Sequence, residues 1–175
     1  MTHDPHVIGP AAAPLMLVEY GDYECPACGR AYLVMQVVRA ELGDALRFRF
    51  RNFPLPQHAH AMAAAEAAES VAAHAGDRAF WAMYRMLYEN QDALEVDDLL
   101  GYADAAGANP ERVAADLSTG AMRGRVEHDR RSGIEAGVAG TPAFFLNGRR
   151  FTGDWSDADA FTEALQAAVR ENSLH

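Results

Sequence analysis

Cys25 and Cys28 are the only cysteines in a chain of 175 residues, and Pro26-Ala27 separates them. The preceding Leu15-Met-Leu-Val-Glu-Tyr20 reads as a buried strand, and residues 29–42 that follow the pair read as a helix. A helix N-terminus carries unpaired amide N–H groups and the positive end of the dipole, so a cysteine held there is favoured as thiolate. The thiolate is the nucleophile of disulfide exchange. One helical turn further on, a second sulfur is near enough to close a ring with the first. The expected chemistry is redox exchange, with Cys25 as the attacking, substrate-linked sulfur and Cys28 as the resolving one. Two other uses of the pair stay open. Zinc needs about four ligands, and His58 and His60 are candidates to complete such a set. A purely structural clip would close too short a loop to stabilise much.

The elements that must hold these sulfurs can be traced along the chain. Residues 1–14 are proline-rich and loose, with a short edge strand at 6–8. Pro26 suits the first turn of the helix, where its missing N–H costs nothing. Leu33, Val37, Val38 and Leu42 form an apolar stripe on that helix, and Gly43 ends it. Leu46-Arg-Phe-Arg-Phe-Arg-Asn-Phe53 alternates as a half-buried strand does, with Leu46, Phe48 and Phe50 inward. Between 57 and 120 the pattern becomes helical and alanine-rich, predicting helices at 59–75, 77–90, 96–106 and 110–117. Asn109-Pro110 is a strong helix start. A further helix is expected at 122–135, then a strand at 143–146. Asn147-Gly148 is a two-residue hairpin turn, and a returning strand follows at 149–152. Ser156, with Asp159 three residues on, reads as the cap of a last helix that buries Phe161, Leu165 and Val169.

Composition narrows the function. The formal net charge of −10 argues against nucleic acid or an anionic membrane surface as partner. All fifteen basic residues are arginine, which removes lysine Schiff-base chemistry. Met1-Thr-His-Asp-Pro-His lacks a basic leader start, and residues 10–18 are too short to span a membrane. As written the chain is expected in the cytoplasm; removal of a leader would make it periplasmic or secreted.

With residues 57–120 set aside, the order is βαβαββα. Three stretches carry a resemblance: Glu19-Tyr-Gly-Asp-Tyr-Glu-Cys-Pro-Ala-Cys28, Asn52-Phe-Pro-Leu55 and Gly140-Thr-Pro-Ala-Phe-Phe-Leu-Asn-Gly148. Together they resemble the DsbA-like thiol–disulfide oxidoreductases, over nearly the whole chain. The resemblance implies an α/β thioredoxin fold with a mixed sheet, residues 1–56 and 121–175 forming the thioredoxin-like domain and 57–120 an inserted all-helical lid. It implies a cis-proline at Pro142 facing the sulfurs. Gly140 and Thr141 would then present main-chain groups to an extended substrate. Glu19 stands where relatives often place a buried carboxylate, which could pass protons to or from Cys28. The alternative for Glu19 is an ordinary carboxylate pointing at solvent. Asp22 and Glu24 place negative charge beside Cys25, which opposes thiolate formation. Phe80, Trp81, Met83, Tyr84, Leu87 and Tyr88 read as lid core. His58, His60, His74 and His128 read as surface or helix-end residues without a role.

The expected activity is exchange between the Cys25–Cys28 couple and protein or small-molecule thiols, through a mixed disulfide at Cys25. No metal or organic cofactor is expected, and a separate redox partner must recycle the couple. The chain should be a monomer or weak dimer with disulfide oxidoreductase or isomerase activity. The rivals are a glutathione-linked transferase or isomerase on the same fold, and a peptide-binding or chaperone module without redox turnover.

Overall fold

Alternation of apolar and polar residues builds the sheet. In the computed structural model, which describes residues 5–174, strand β1 is Val7–Ile8, β2 is Leu15–Gly21, helix α1 is Pro26–Leu42 and β3 is Leu46–Asn52. The expectation of a loose start at residues 1–4 falls outside the described residues. On β3, Leu46, Phe48 and Phe50 are buried while Arg47, Arg49 and Arg51 alternate with them, half-buried. β2 runs parallel to β3, from Leu15 opposite Leu46 to Gly21 opposite Asn52. β1 pairs antiparallel with the other edge of β3.

Helices α2 (Ala61–Ala75), α3 (Asp77–Glu89), α4 (Val96–Ala105) and α5 (Pro110–Thr119) follow. The chain then returns through α6 (Arg123–Glu135), β4 (Ala143–Leu146), β5 (Arg149–Arg150) and α7 (Ala158–Asn172). β4 pairs antiparallel with β2, and β5 with β4. The sheet order is β1-β3-β2-β4-β5. This is the expected thioredoxin fold: a mixed sheet in βαβαββα order, with the α2–α5 block entering after β3.

Several elements differ from their sequence patterns, each for a physical reason. α1 buries Cys28, Ala31, Tyr32, Met35, Val38 and Leu42, whereas Leu33 is 62% and Val37 44% exposed. The stripe that faces the interior is the one in phase with Cys28, so only two residues of the expected stripe are covered. α7 is capped by Asp157, whose carboxylate accepts from the Ala160 amide. Ser156 instead binds Asp154, and the expected capping box does not form. β5 stops at Arg150, two residues short of the expected strand end. The hairpin turn matches its signature: Asn147 and Gly148 have φ of 48° and 82°, the left-handed conformation that a two-residue turn of this type needs.

The helical block and the sheet share one core. α2 buries Ala64, Ala65, Ala67, Ala68 and Val71, and such small side chains let neighbouring helices approach closely. α3 buries Phe80, Met83, Tyr84, Leu87 and Tyr88, and its rings meet those of the sheet and the active-site loop. Tyr84 packs edge-on to Phe50 at 5.2 Å, and Tyr88 lies 5.0 Å from Tyr23. A polar network ties the same parts together. Glu69 of α2 accepts from Asn52 Nδ2 at 2.6 Å and pairs with His6 Nε2 at 2.7 Å. Asp129 of α6 accepts from the Asn52 amide and from Arg125. Burial drives the Glu69 carboxyl upward, but His6, Arg125 and Asn52 outweigh it and hold the pKa below the usual carboxylate value.

Candidate active site

Cys25 is the N-cap of α1, in extended conformation, with Pro26 as the first helical residue. Both cysteines are free thiols and both are buried, Cys25 at 7% and Cys28 at 0% exposure. The two sulfurs are pushed in opposite directions. The Cys25 pKa falls to about 5, chiefly because the Cys28 thiol hydrogen-bonds to it. Burial acts against this, and Thr141 and the amides of Cys28 and Ala27 add to it. The expected stabilisation by backbone amides at the helix start is therefore present, but second to the partner sulfur. The Cys28 thiol is driven far above its ordinary pKa by burial, by its bond to Cys25 and by Glu19.

Thr141 and Pro142 lie across the gap. The Thr141–Pro142 bond is cis, and the Thr141 carbonyl oxygen is 3.7 Å from Cys25 Sγ. Gly140 is exposed and Thr141 half-buried.

Glu19 is not at the surface. It is fully buried, opposite Phe50 on β3 and Phe144 on β4. Neither carboxyl oxygen has a hydrogen-bond partner among the described residues. Burial first, and the charge of Cys25 second, raise its pKa to about 8. The solvent-facing alternative for Glu19 is overturned, because positions 15, 17 and 19 share the face of β2 that the core covers.

Asp22 is also buried, and its charge is absorbed by four donors. Oδ1 accepts from the Glu24 amide at 2.8 Å and the Cys25 amide at 3.2 Å. Oδ2 accepts from the Leu55 amide at 2.8 Å and pairs with His58 Nδ1 at 2.7 Å. The carboxylate thus stitches the cysteine loop to the loop after β3. Glu24 in turn accepts from the His60 amide at 2.9 Å and pairs with His60 Nδ1 at 2.9 Å. His60 Nε2 reaches Glu95 at 2.8 Å. His58 is accordingly part of the site's framework and not an idle surface residue. Among the described residues no three His, Cys, Asp or Glu side chains are gathered as a metal set, and both histidines considered for zinc are turned to carboxylates.

The helical block contributes one contact that local pattern does not reveal. Gln91, just after α3, donates through Nε2 to the carbonyls of Tyr23 at 3.0 Å and Cys25 at 2.9 Å. A Cβ at Gly29 would collide with Gln91 Oε1, so this glycine leaves room for the clamp. Beside it, Pro26, Gly29, Arg30, Tyr32, Leu33, Tyr88, Glu89 and Gln91 line a groove of about 400 Å³.

The fold and the paired cysteines are those of a thioredoxin-type domain with a block of helices, α2 to α5, after β3. The family model described as Thioredoxin matches residues 1–167, and the chain belongs to that family. Its fold is that of DsbA-like proteins. It superposes on BdbD from Bacillus subtilis with a TM-score of 0.85, at 23% identity, covering 95% of this chain and 93% of that one. It superposes on α-DsbA1 from Wolbachia pipientis at 0.81, with 16% identity and coverage of 96% and 92%. MdbA from Corynebacterium diphtheriae, a thiol-disulfide oxidoreductase, matches at 0.73 with 18% identity and coverage of 91% and 88%. In sequence the chain is 42% identical over 165 residues to the Na(+)/H(+) antiporter NhaA of Herminiimonas arsenicoxydans, covering 94% of this chain and 26% of that protein. A Mycobacterium sp. (strain KMS) protein, Na(+)/H(+) antiporter NhaA 1, gives 41% over 165 residues, 93% and 26%. The chain therefore spans about a quarter of the length of these relatives. No helix among the described residues is long and apolar enough to cross a membrane.

Proposed function

We propose that this chain is a thiol–disulfide oxidoreductase that exchanges its Cys25–Cys28 couple with thiols through a mixed disulfide at Cys25. One observation carries the reading: Cys25 caps α1 with its sulfur 3.7 Å from the Thr141 carbonyl, while Cys28 lies fully buried one turn inside, and these surroundings push the two thiols in opposite directions. In the oxidised protein a substrate thiolate attacks Cys25 Sγ, the Cys25–Cys28 bond breaks, and Cys28 leaves with the electron pair. Cys28 needs a proton at that moment, and Glu19 is a buried carboxylic acid whose pKa of about 8 keeps it mostly protonated at neutral pH. A second substrate thiolate attacks the substrate sulfur of the mixed disulfide. Cys25 leaves as a stabilised thiolate, so the protein is reduced by two electrons and the substrate is oxidised to a disulfide.

Stabilising the reduced form makes a couple more oxidising. The favoured direction is therefore oxidation of substrates, in a compartment where disulfides persist. The stable Cys25 thiolate also suits isomerisation of mispaired disulfides, which begins with attack by a reduced thiol. Gly140 and Thr141 offer main-chain groups to an extended protein or peptide substrate, Pro142 follows the Thr141 carbonyl that lies 3.7 Å from Cys25 Sγ, and Pro26 and Ala27 keep the loop between the sulfurs uncharged. The residues that carry the reaction are all in the chain, so no metal or organic cofactor is invoked. A redox partner returns the couple to its starting state, and the catalytic unit acts as a monomer or weak dimer.

The test is insulin reduction and refolding of scrambled ribonuclease by wild type and Cys25→Ser. Loss of both activities in the variant is expected. Equal activity of the two proteins would turn the reading toward a binding or chaperone module.

A further inference from the structure

We propose that His58 is a positioning residue of this redox centre: its imidazolium supports the Cys25 thiolate in the reduced protein and releases a proton as the disulfide closes. The inference rests on the redox reading of the Cys25–Cys28 pair and extends it to a residue 33 positions away in the chain.

The geometry begins with Asp22. One buried carboxylate holds the Cys25 amide through Oδ1 and His58 Nδ1 through Oδ2. A carboxylate only accepts, so Nδ1 carries the hydrogen and Nε2 is the nitrogen that gains or loses a proton. The imidazole is only partly covered, its side chain 21% exposed. It lines a cavity of about 350 Å³ with Pro54, Leu55, Pro56, Ala59, Met62, Glu127 and Arg130. The group is thus fixed at one end by a buried anion and open to proton exchange at the other.

The charges around it are unequal. Asp22, Glu24 and the Cys25 thiolate all favour the imidazolium, Asp22 most of all. From α6, Glu127 and Arg130 line the same cavity and pair with each other at 3.4 Å, so their charges offset. His60 is held by Glu24 and Glu95, which leaves His58 as the histidine tied to the carboxylate that caps Cys25. Of these neighbours, Cys25 alone changes charge when the couple turns over. Linkage is reciprocal: a thiolate that favours the imidazolium is itself favoured by it to the same extent.

The proton balance follows. Two-electron reduction of the disulfide gives a Cys25 thiolate and a Cys28 thiol, the latter taking one proton. His58 takes a further fraction of a proton at pH values near its own midpoint. Oxidation returns both. Reduction should therefore consume more protons near neutral pH in wild type than in a protein lacking this imidazole.

His58→Asn retains an amide donor for Asp22 while removing the titrating ring, and His58→Ala removes both. NMR titration of wild type in its two redox forms should place the His58 midpoint higher in the reduced form. Iodoacetamide trapping across pH 4–8 should show the Cys25 midpoint in His58→Asn moved up by about half to one unit. The glutathione equilibrium of that variant should depend less steeply on pH. A His58 midpoint identical in both redox forms would overturn the proposal. So would a wild-type Cys25 midpoint in His58→Asn, since the histidine would then serve only as a hydrogen-bond donor. These outcomes leave the parent reading standing. That reading fails separately if the wild-type sulfurs never join reversibly against glutathione, and the proposal fails with it.

Discussion

The two ends of the Cys25–Cys28 turn meet opposite surroundings. On the Cys25 side lie groups that welcome charge: a thiol donor, amides at the start of α1, and a loop whose own anion, Asp22, is spent on four donors. On the Cys28 side lie Glu19 and an aromatic wall in which Tyr23 and Tyr88 are buried. There burial pushes the tyrosine pKa values well up, as it does those of Glu19 and Cys28. The difference teaches how a single helical turn separates a sulfur that holds charge from one that does not, as the proposed exchange requires. The same low-dielectric interior that forbids a second thiolate keeps a protonated carboxyl ready beside it.

The sharpest break in this asymmetry is removal of the exposed-side sulfur. Cys25→Ser should lower the exchange rate by roughly 10³-fold or more. Cys28→Ser should keep Cys25 reactive and accumulate mixed disulfides visible by mass spectrometry. If both variants lose alkylation reactivity equally, the two sulfurs are not distinct.

Asp22 holds the welcoming side together. Asp22→Ala strands the amides of Glu24 and Leu55 and the His58 ring, and should cost about 3–5 kcal/mol in urea denaturation.

The asymmetry also predicts opposite pH dependences. The folded Cys25 pKa of about 5 lies below its ordinary 9.0. Its stabilising contribution is complete above pH 9 and vanishes as pH falls to 5. At pH 7 it amounts to about 3 kcal/mol. Reduced protein should lose about 2 kcal/mol, relative to oxidised protein, between pH 7 and pH 5. Parallel stability curves for the two forms would contradict the assignment.

Glu19 runs the other way. Its pKa is raised from 4.5 to about 8, so stability is lost as pH rises between those values. Glu19→Gln should gain on the order of 2 kcal/mol at pH 8, after the cost of an unpartnered amide, and lose about 2 kcal/mol at pH 4.5, where that cost stands alone. Slower release of Cys28 should accompany the gain, read as slower formation of the mixed disulfide from oxidised protein.

The smallest effect is expected at the clamp. Gln91→Ala should cost about 1 kcal/mol and speed hydrogen exchange at residues 27–29. Unchanged exchange there would mean that the helical block does not steady the loop.

Much of the fold was legible because it follows from short-range patterns. The Leu15–Gly21 and Leu46–Asn52 alternations, Pro26 and Pro110 at helix starts, and the Asn147-Gly148 turn each act over a few residues. α1 carries two apolar stripes, and only packing selects the one that includes Cys28 and Met35. Ser156 lost the cap to Asp157 because Asp154 claimed its hydroxyl. Period two places Glu19 with Leu15 and Leu17 on the buried face of β2.

The sequence by itself determined that two sulfurs sit at a strand-to-helix junction, one at the helix start and one a turn inside, within a βαβαββα order. Local conformational preference and hydrophobic period are enough for that. Only the tertiary structure decided which polar groups surround the sulfurs. His58 reaches Asp22 across 36 residues and Gln91 reaches Cys25 across 66. Desolvation and Coulomb interaction depend on distance in space and on what excludes water, and neither is written in the neighbouring residues.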